Sequence, residues 1–171
     1  GAFEALKDVS FEIASGDIYG VIGYSGAGKK AIAVYEGEDK PYEFNSPRQY
    51  ALSQEHKHLP EMQAVSGLKF KPMFNPIVCD YYSGMVVTVP VQTRQLEKKV
   101  TPQQVWEMYS KHYEGAKLVE VKPLMSPEEQ KKFFLASNTL SGQNKLEIFV
   151  FGNDEQILLA ARLDNLGKGA S

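Results

Sequence analysis

The sequence has little cysteine, little net charge and no long apolar run. Its 171 residues include a single cysteine, Cys79, so no disulfide forms within the chain, as is usual in a reducing compartment. Acidic and basic side chains nearly cancel, with a net charge of −2, and no basic cluster indicates a nucleic-acid surface. No apolar stretch approaches the ~20 residues of a membrane helix, and no signal peptide opens the chain. We therefore expect a cytoplasmic protein that binds neither nucleic acid nor a membrane.

The order of the predicted elements indicates an α+β fold in a single domain over residues 1–171. A half-buried strand is predicted over 5–13 and a fully buried one over 18–23, followed by a glycine loop and a segment of helical composition, 29–36. Residues 101–113 give the clearest helix, with Thr101 as N-cap. Further strands are predicted within 69–76, 84–92 and 117–123, and a hairpin over 145–164. The prediction is a mixed, largely antiparallel sheet with helices packed on it, entered through a strand–strand–glycine loop–helix unit.

The glycine loop GYSGAGKK at 23–30 nearly fits the phosphate-loop pattern G-x-x-x-x-G-K-[ST], but Lys30 stands where that pattern has its magnesium-binding hydroxyl. Backbone N–H groups in such a loop bind anions whatever the side chains are. We expect weak binding of phosphate or ATP, without a protein-bound magnesium and without hydrolysis. Alternatively, the glycines merely let the chain turn. The candidate phosphate- or nucleotide-binding residues are Gly23, Tyr24, Ser25, Gly26, Ala27, Gly28, Lys29 and Lys30.

Residues 3–28 resemble the start of the ATPases of methionine-import ABC transporters, in which two strands lead into a phosphate loop. The resemblance implies ATP binding, with Lys29 reaching the terminal phosphates. The other motifs of those ATPases have poor counterparts: 76–80 lacks the Glu that should follow its Asp, and 140–144 lacks the second glycine of the signature.

Residues 23–171 resemble a different family, the N-acetyl-gamma-glutamyl-phosphate reductases of arginine biosynthesis. Its glycine loop ends in two basic residues, so Lys30 is the ordinary residue there. The stretches that carry the resemblance are 23–30, 56–62, 70–89 and 162–171. The simplest interpretation is an engineered, non-enzymatic chimera of the two families with no complete active site. The alternatives are a fragment of a reductase and an ATP-binding module, and the chain could also form a homo-oligomer.

The stretch HKHLPE resembles the segment that supplies the catalytic histidine of the reductases, and either His56 or His58 fits that role. Their spacing of two predicts both rings on one side of an extended strand, where they could also bind a metal, although no third ligand stands at a recognisable spacing. In the family the cysteine nucleophile lies upstream of the glycine loop, and a separate domain binds NADP. Cys79 instead lies in an apolar segment, where we expect a buried structural side chain. We therefore expect no reductase turnover from this chain by itself.

Overall fold

The structure is a computed structural model that describes residues 18–23, 35 and 37–167. Within these residues, seven strands form one mixed sheet in the order β2-β3-β1-β4-β7-β6-β5. The pairs β1–β3 and β5–β6 are parallel and the others are antiparallel, which confirms the predicted α+β fold with a largely antiparallel sheet. The strands are β1 (Ile18–Gly23), β2 (Arg48–Gln49), β3 (Met73–Val78), β4 (Met85–Gln92), β5 (Val119–Val121), β6 (Leu146–Gly152) and β7 (Gln156–Leu163).

Strand β1 has the predicted bounds and lies inside the sheet. Val21 is in register with Pro76 of β3 on one side and with Val87 of β4 on the other, so neither edge is left for a further strand at this point of β1. The predicted strand over 5–13 and the glycine loop after Gly23 lie outside the described residues. Strand 18–23 thus enters the centre of the sheet, as expected.

The helices whose bounds the structure describes are α1 (His58–Ser66), α2 (Pro102–His112) and the short α3 (Pro127–Gln130), with 3-10 turns at Tyr42–Asn45 and Thr93–Gln95. Helix α2 confirms the clearest sequence prediction. The Thr101 hydroxyl accepts from the Gln104 N–H at 3.3 Å, and the Gln104 side chain accepts from the Thr101 N–H at 3.0 Å. This reciprocal capping satisfies two backbone donors that the first turn would otherwise leave unpaired.

One face of the sheet, here called the core face, carries α2. Val105 of the helix packs on Val91, Val150 and Ile157 of three adjacent strands, and Met108 and Tyr109 adjoin this cluster. The Trp106 indole N–H donates to the Lys122 carbonyl at 2.8 Å, which ties α2 to the end of β5. His112 continues this stripe by its spacing but is exposed, because it is the last residue of the helix.

The opposite face is covered at one end and open at the other. Segment 133–141 covers the end near Glu147, where the Phe133 ring lies 6.1 Å from that of Phe149. Farther along, Met73 and Leu158 are 47% and 36% exposed. Leu158 is in register with Pro90 and Phe151, so these side chains share its face. The uncovered part, bearing Met73, Pro90 and Leu158, is here called the open face. Phe151 lies at its margin, with its ring 5.8 Å from that of Phe133.

None of the helices that the structure describes is long and apolar enough to cross a membrane.

Candidate functional site

His56 stands against strand β3 on the core face. Its ring centroid lies 5.0 Å from the Phe74 ring and 5.7 Å from the Tyr50 ring. The side chain of Phe74 is buried and that of His56 is half-buried. The Tyr50 and Phe74 rings therefore pack against the imidazole and leave part of it accessible to solvent.

His58 begins helix α1, and the two histidine rings meet at 4.6 Å in an edge-to-face arrangement. The prediction that both lie on one side of an extended strand is wrong, because the chain turns into α1 at this point. The His58 backbone N–H donates to Nδ1 of His56 at 3.2 Å, and the Leu59 N–H donates to the His56 carbonyl at 3.0 Å. Leu59 is 1% exposed and anchors the helix start, so the turn rather than a strand brings the rings together.

The hydrogen bond from His58 decides which nitrogen of His56 is available. An Nδ1 that accepts a hydrogen bond carries no proton, so the neutral ring carries its proton on Nε2. Burial, with the positive charges of His58 and Lys57, lowers the pKa of His56 below its ordinary 6.5. A neutral imidazole whose Nδ1 accepts this hydrogen bond has Nε2–H free to donate to a substrate oxygen, which is the part of a general acid. His58 is exposed and has no comparable enclosure.

Cys79 follows the last residue of β3 and is half-buried. Burial raises the pKa of its thiol above the ordinary 9.0, and the nearby Arg48 guanidinium offsets only part of that rise. Because the thiolate is the reactive form, this environment disfavours nucleophilic chemistry at Cys79. The described part of the chain also brings together no group of three His, Cys, Asp or Glu side chains that could hold a metal ion.

A buried turn after β7 was missed by the sequence analysis. Asp164 is 3% exposed, and its carboxylate accepts from the N–H groups of Gly142, at 2.6 Å, and Leu166, at 2.9 Å. Burial by itself would raise the pKa of Asp164, but the N–H donors outweigh it and the pKa lies below its ordinary 3.8. The next side chain, Asn165, accepts from the Gly84 N–H at 2.9 Å. An Asp–Asn pair after a strand gives no signal of these long-range partners.

Gly84 lies where the chain allows no side chain. Its φ is +120°, and a Cβ would stand 2.3 Å from the Ser137 carbonyl oxygen. The turn at Asp164, the loop before β4 and the C-terminal end of β1 meet at one end of the sheet, since Gly23 is in register with Met85 and Met85 with Leu163. The structure thus brings Gly23, the first residue of the stretch 23–30, to the same end of the sheet as the described parts of the stretches 70–89 and 162–171. Residues 24–30 lie outside the described residues, so anion binding by the glycine loop stays a prediction.

Residues 9–165 match the protein family described as semialdehyde dehydrogenase, dimerisation domain. Among curated proteins, N-acetyl-gamma-glutamyl-phosphate reductase 2 of Nostoc sp. is 38% identical over 164 residues, covering 90% of this chain and 50% of that protein. The N-acetyl-gamma-glutamyl-phosphate reductase of Burkholderia ambifaria is 41% identical over 157 residues, covering 90% and 49%. The chain therefore spans about half the length of the curated relatives it matches.

Solved structures agree with the fold. Aspartate semialdehyde dehydrogenase II of Vibrio cholerae superposes with a TM-score of 0.57 at 16% identity, covering 89% of this chain and 50% of that one. The aspartate semialdehyde dehydrogenase of Francisella tularensis gives 0.57 at 15% identity, covering 89% and 54%. The family match begins at residue 9 and so includes most of the segment 3–28 that resembles a transporter ATPase. None of the relatives described here is a transporter, and the chimera stays a prediction without support from these comparisons.

Proposed function

The chain belongs to the semialdehyde dehydrogenase dimerisation-domain family, and we propose that it is the C-terminal half of an N-acetyl-gamma-glutamyl-phosphate reductase of arginine biosynthesis. Two relatives at 38% and 41% identity carry that name, and they match 90% of this chain. This proposal replaces the non-enzymatic chimera as the preferred interpretation. The family match runs from residue 9 to residue 165 and so includes all but the first six residues of the segment 3–28.

Within this proposal, His56 is the proton-transfer residue. The observation that carries it is the hydrogen bond from the His58 N–H to Nδ1 of His56, which leaves Nε2 as the exchanging nitrogen. When hydride adds to the carbonyl carbon of a thioester, the carbonyl oxygen takes up a proton, and it returns that proton when the C–S bond breaks to give the aldehyde and the thiolate. A histidine with its proton on Nε2 can donate that proton and take it back. The reduced form of NADP, the cofactor that the resemblance implies, would supply the hydride and would be held by the part of the reductase that this chain does not span.

Cys79 is not the nucleophile of this reaction. Its thiol has a raised pKa, whereas an acyl-accepting cysteine works as the thiolate. The nucleophile would come from the other half of the reductase. A second copy of this chain would cover the open face, where Met73 and Leu158 expose apolar surface on an otherwise regular sheet. Sheets stack face to face at about 10 Å, so two copies can bury these side chains against each other.

The experiment joins this chain to the dinucleotide-binding half of the Burkholderia ambifaria relative and measures NADPH oxidation with N-acetyl-gamma-glutamyl phosphate. We expect turnover from the joined protein, no turnover from the chain alone, and unchanged turnover in a joined protein that carries Cys79→Ser. A folded joined protein without turnover would contradict the proposal. Loss of turnover in Cys79→Ser would show that the nucleophile lies in this chain.

A further inference from the structure

The outer edge of β3 is completed by a side chain instead of a strand. Strand β2 pairs with Val78 and Ile77, and the Tyr50 N–H then donates to the Pro76 carbonyl at 3.2 Å. Because backbone groups point to a given edge at every second residue, the next position on this edge is Phe74. There the Gln54 side chain takes over: its Nε2 donates to the Phe74 carbonyl at 2.7 Å, and its Oε1 accepts from the Phe74 N–H at 2.9 Å.

A carboxamide offers the same donor and acceptor as a peptide group, so Gln54 replaces one strand residue in the hydrogen-bond ladder. Without it the Phe74 N–H and carbonyl would face a half-buried environment unpaired, which is costly for backbone groups. The bidentate contact is specific, because both hydrogen bonds need the side chain in one orientation. We call this pair of hydrogen bonds the Gln54 clamp.

The clamp holds a backbone conformation that the chain would not adopt freely. Ala51 and Gln54 have φ values of +52° and +58°, in the left-handed region that residues other than glycine rarely adopt. The Gln54 N–H also donates to the Ala51 carbonyl at 3.1 Å, closing the turn. Such conformations persist where surrounding contacts over-determine them, and the clamp supplies two of these contacts.

His56 follows Gln54 by two residues and packs on the same Phe74 whose backbone is clamped. Phe74 therefore acts twice: its backbone binds the Gln54 side chain, and its ring packs against the His56 imidazole. On the other side, the Leu59 N–H holds the His56 carbonyl at 3.0 Å at the start of α1. The imidazole is thus held between the clamp before it and the helix after it.

We propose that Gln54 is a positioning residue for His56, fixing the imidazole against Phe74 and preserving the acceptor role of its Nδ1. Its functional meaning rests on the proposed role of His56, but the positioning itself does not depend on any turnover. A reductase assay that fails with His56 still clamped contradicts the proposed function and leaves this inference intact.

The test is Gln54→Met, which keeps the length of the side chain and removes both hydrogen bonds. Imidazole ¹⁵N spectra of the full chain report the tautomer and the titration of His56. In the unaltered chain we expect Nδ1 as acceptor and Nε2 protonated. In Gln54→Met we expect a more even tautomer mixture, a rise of the His56 pKa toward its ordinary value, and exchange of the Phe74 amide faster by about tenfold, since two hydrogen bonds are lost.

Gln49→Met is the matched control. The Gln49 carboxamide donates to the side chain of Asn75, also on β3, at 2.7 Å in an exposed hydrogen bond. Gln49 precedes Tyr50 in the chain, but its carboxamide takes no part in the Gln54 clamp. We expect it to leave the His56 spectrum unchanged. The inference is overturned if Gln54→Met folds and gives the His56 spectrum of the unaltered chain, or if Gln49→Met changes that spectrum as much.

If Gln54→Met does not fold, hydrogen exchange in the unaltered chain tests the Gln54 clamp instead. The clamped Gln54 Nε2 protons are then compared with those of Gln49, whose hydrogen bond is exposed. Slower exchange at Gln54 supports the clamp, and exchange at the rate of Gln49 overturns it.

Discussion

Arg162 and Glu147 form an ion pair between strands β7 and β6, with side chains 9% and 10% exposed. The Arg162 Nε and Nη2 groups both donate to Oε2 of Glu147, at 2.8 and 2.6 Å. The remaining guanidinium nitrogen, Nη1, donates to the Ala136 carbonyl at 3.0 Å and to the Thr139 hydroxyl at 2.9 Å. The pair therefore fastens segment 133–141 onto the sheet, beside the turn at Asp164.

Removing one partner of this pair should be costly. Glu147→Ala leaves the Arg162 charge buried without its carboxylate, and we expect a loss of about 3–5 kcal/mol in the free energy of unfolding, measured by urea titration. The control is Glu128→Ala, which removes an ion pair with Lys131 whose side chains are 73% and 66% exposed. We expect a loss of less than about 1 kcal/mol there. Equal losses would show that burial does not set the strength of the Arg162–Glu147 pair.

The N-terminus of α2 gives a second stability prediction. Thr101→Ala removes the hydroxyl that accepts from the Gln104 N–H, and we expect a loss of about 0.5–2 kcal/mol in the free energy of unfolding. Thr101→Ser keeps the hydroxyl and should retain most of the stability. Thermal unfolding of both variants checks this, and equal stabilities would mean that the cap contributes nothing.

The free energy of unfolding should decrease as the pH is lowered through the window where His56 titrates. The folded state lowers the pKa of His56 below 6.5, so the unfolded state binds more protons as the pH falls through 6.5 toward the folded value. The free energy of unfolding therefore decreases over that window, and above it the His56 contribution is fully present. We expect His56→Gln, which cannot titrate, to give a shallower decrease. An unchanged slope would place the titration elsewhere.

The open face should mediate self-association. Leu158→Lys puts a charge at the exposed centre of that face, and we expect sedimentation velocity to show a shift from dimer to monomer. Val65→Lys is the control, since Val65 lies on α1 and is 81% exposed. A monomeric unaltered chain, or dimers that survive Leu158→Lys, would contradict a dimer built through this face.

Local signals predicted much of the fold. Helix α2 was readable because its cap, its proline and its apolar stripe are contiguous, and the β6–β7 hairpin because four turn residues separate two apolar runs. The histidine geometry was not readable, since α1 has no N-cap side chain that would announce its start. The Gln54 clamp spans 20 residues to Phe74, and a lone glutamine has no pattern that identifies its partner. Such a contact forms only when the tertiary fold brings the two segments together.

The role of His56 is tested most directly by comparing His56→Asn with His58→Asn in the joined protein. We expect His56→Asn to lower kcat by roughly 100- to 10,000-fold, the usual contribution of general acid–base catalysis. We expect His58→Asn to change kcat by less than about tenfold, because its backbone N–H still donates to the His56 ring. A joined protein that keeps its kcat in His56→Asn, or that loses it in His58→Asn instead, would contradict the assignment of proton transfer to His56.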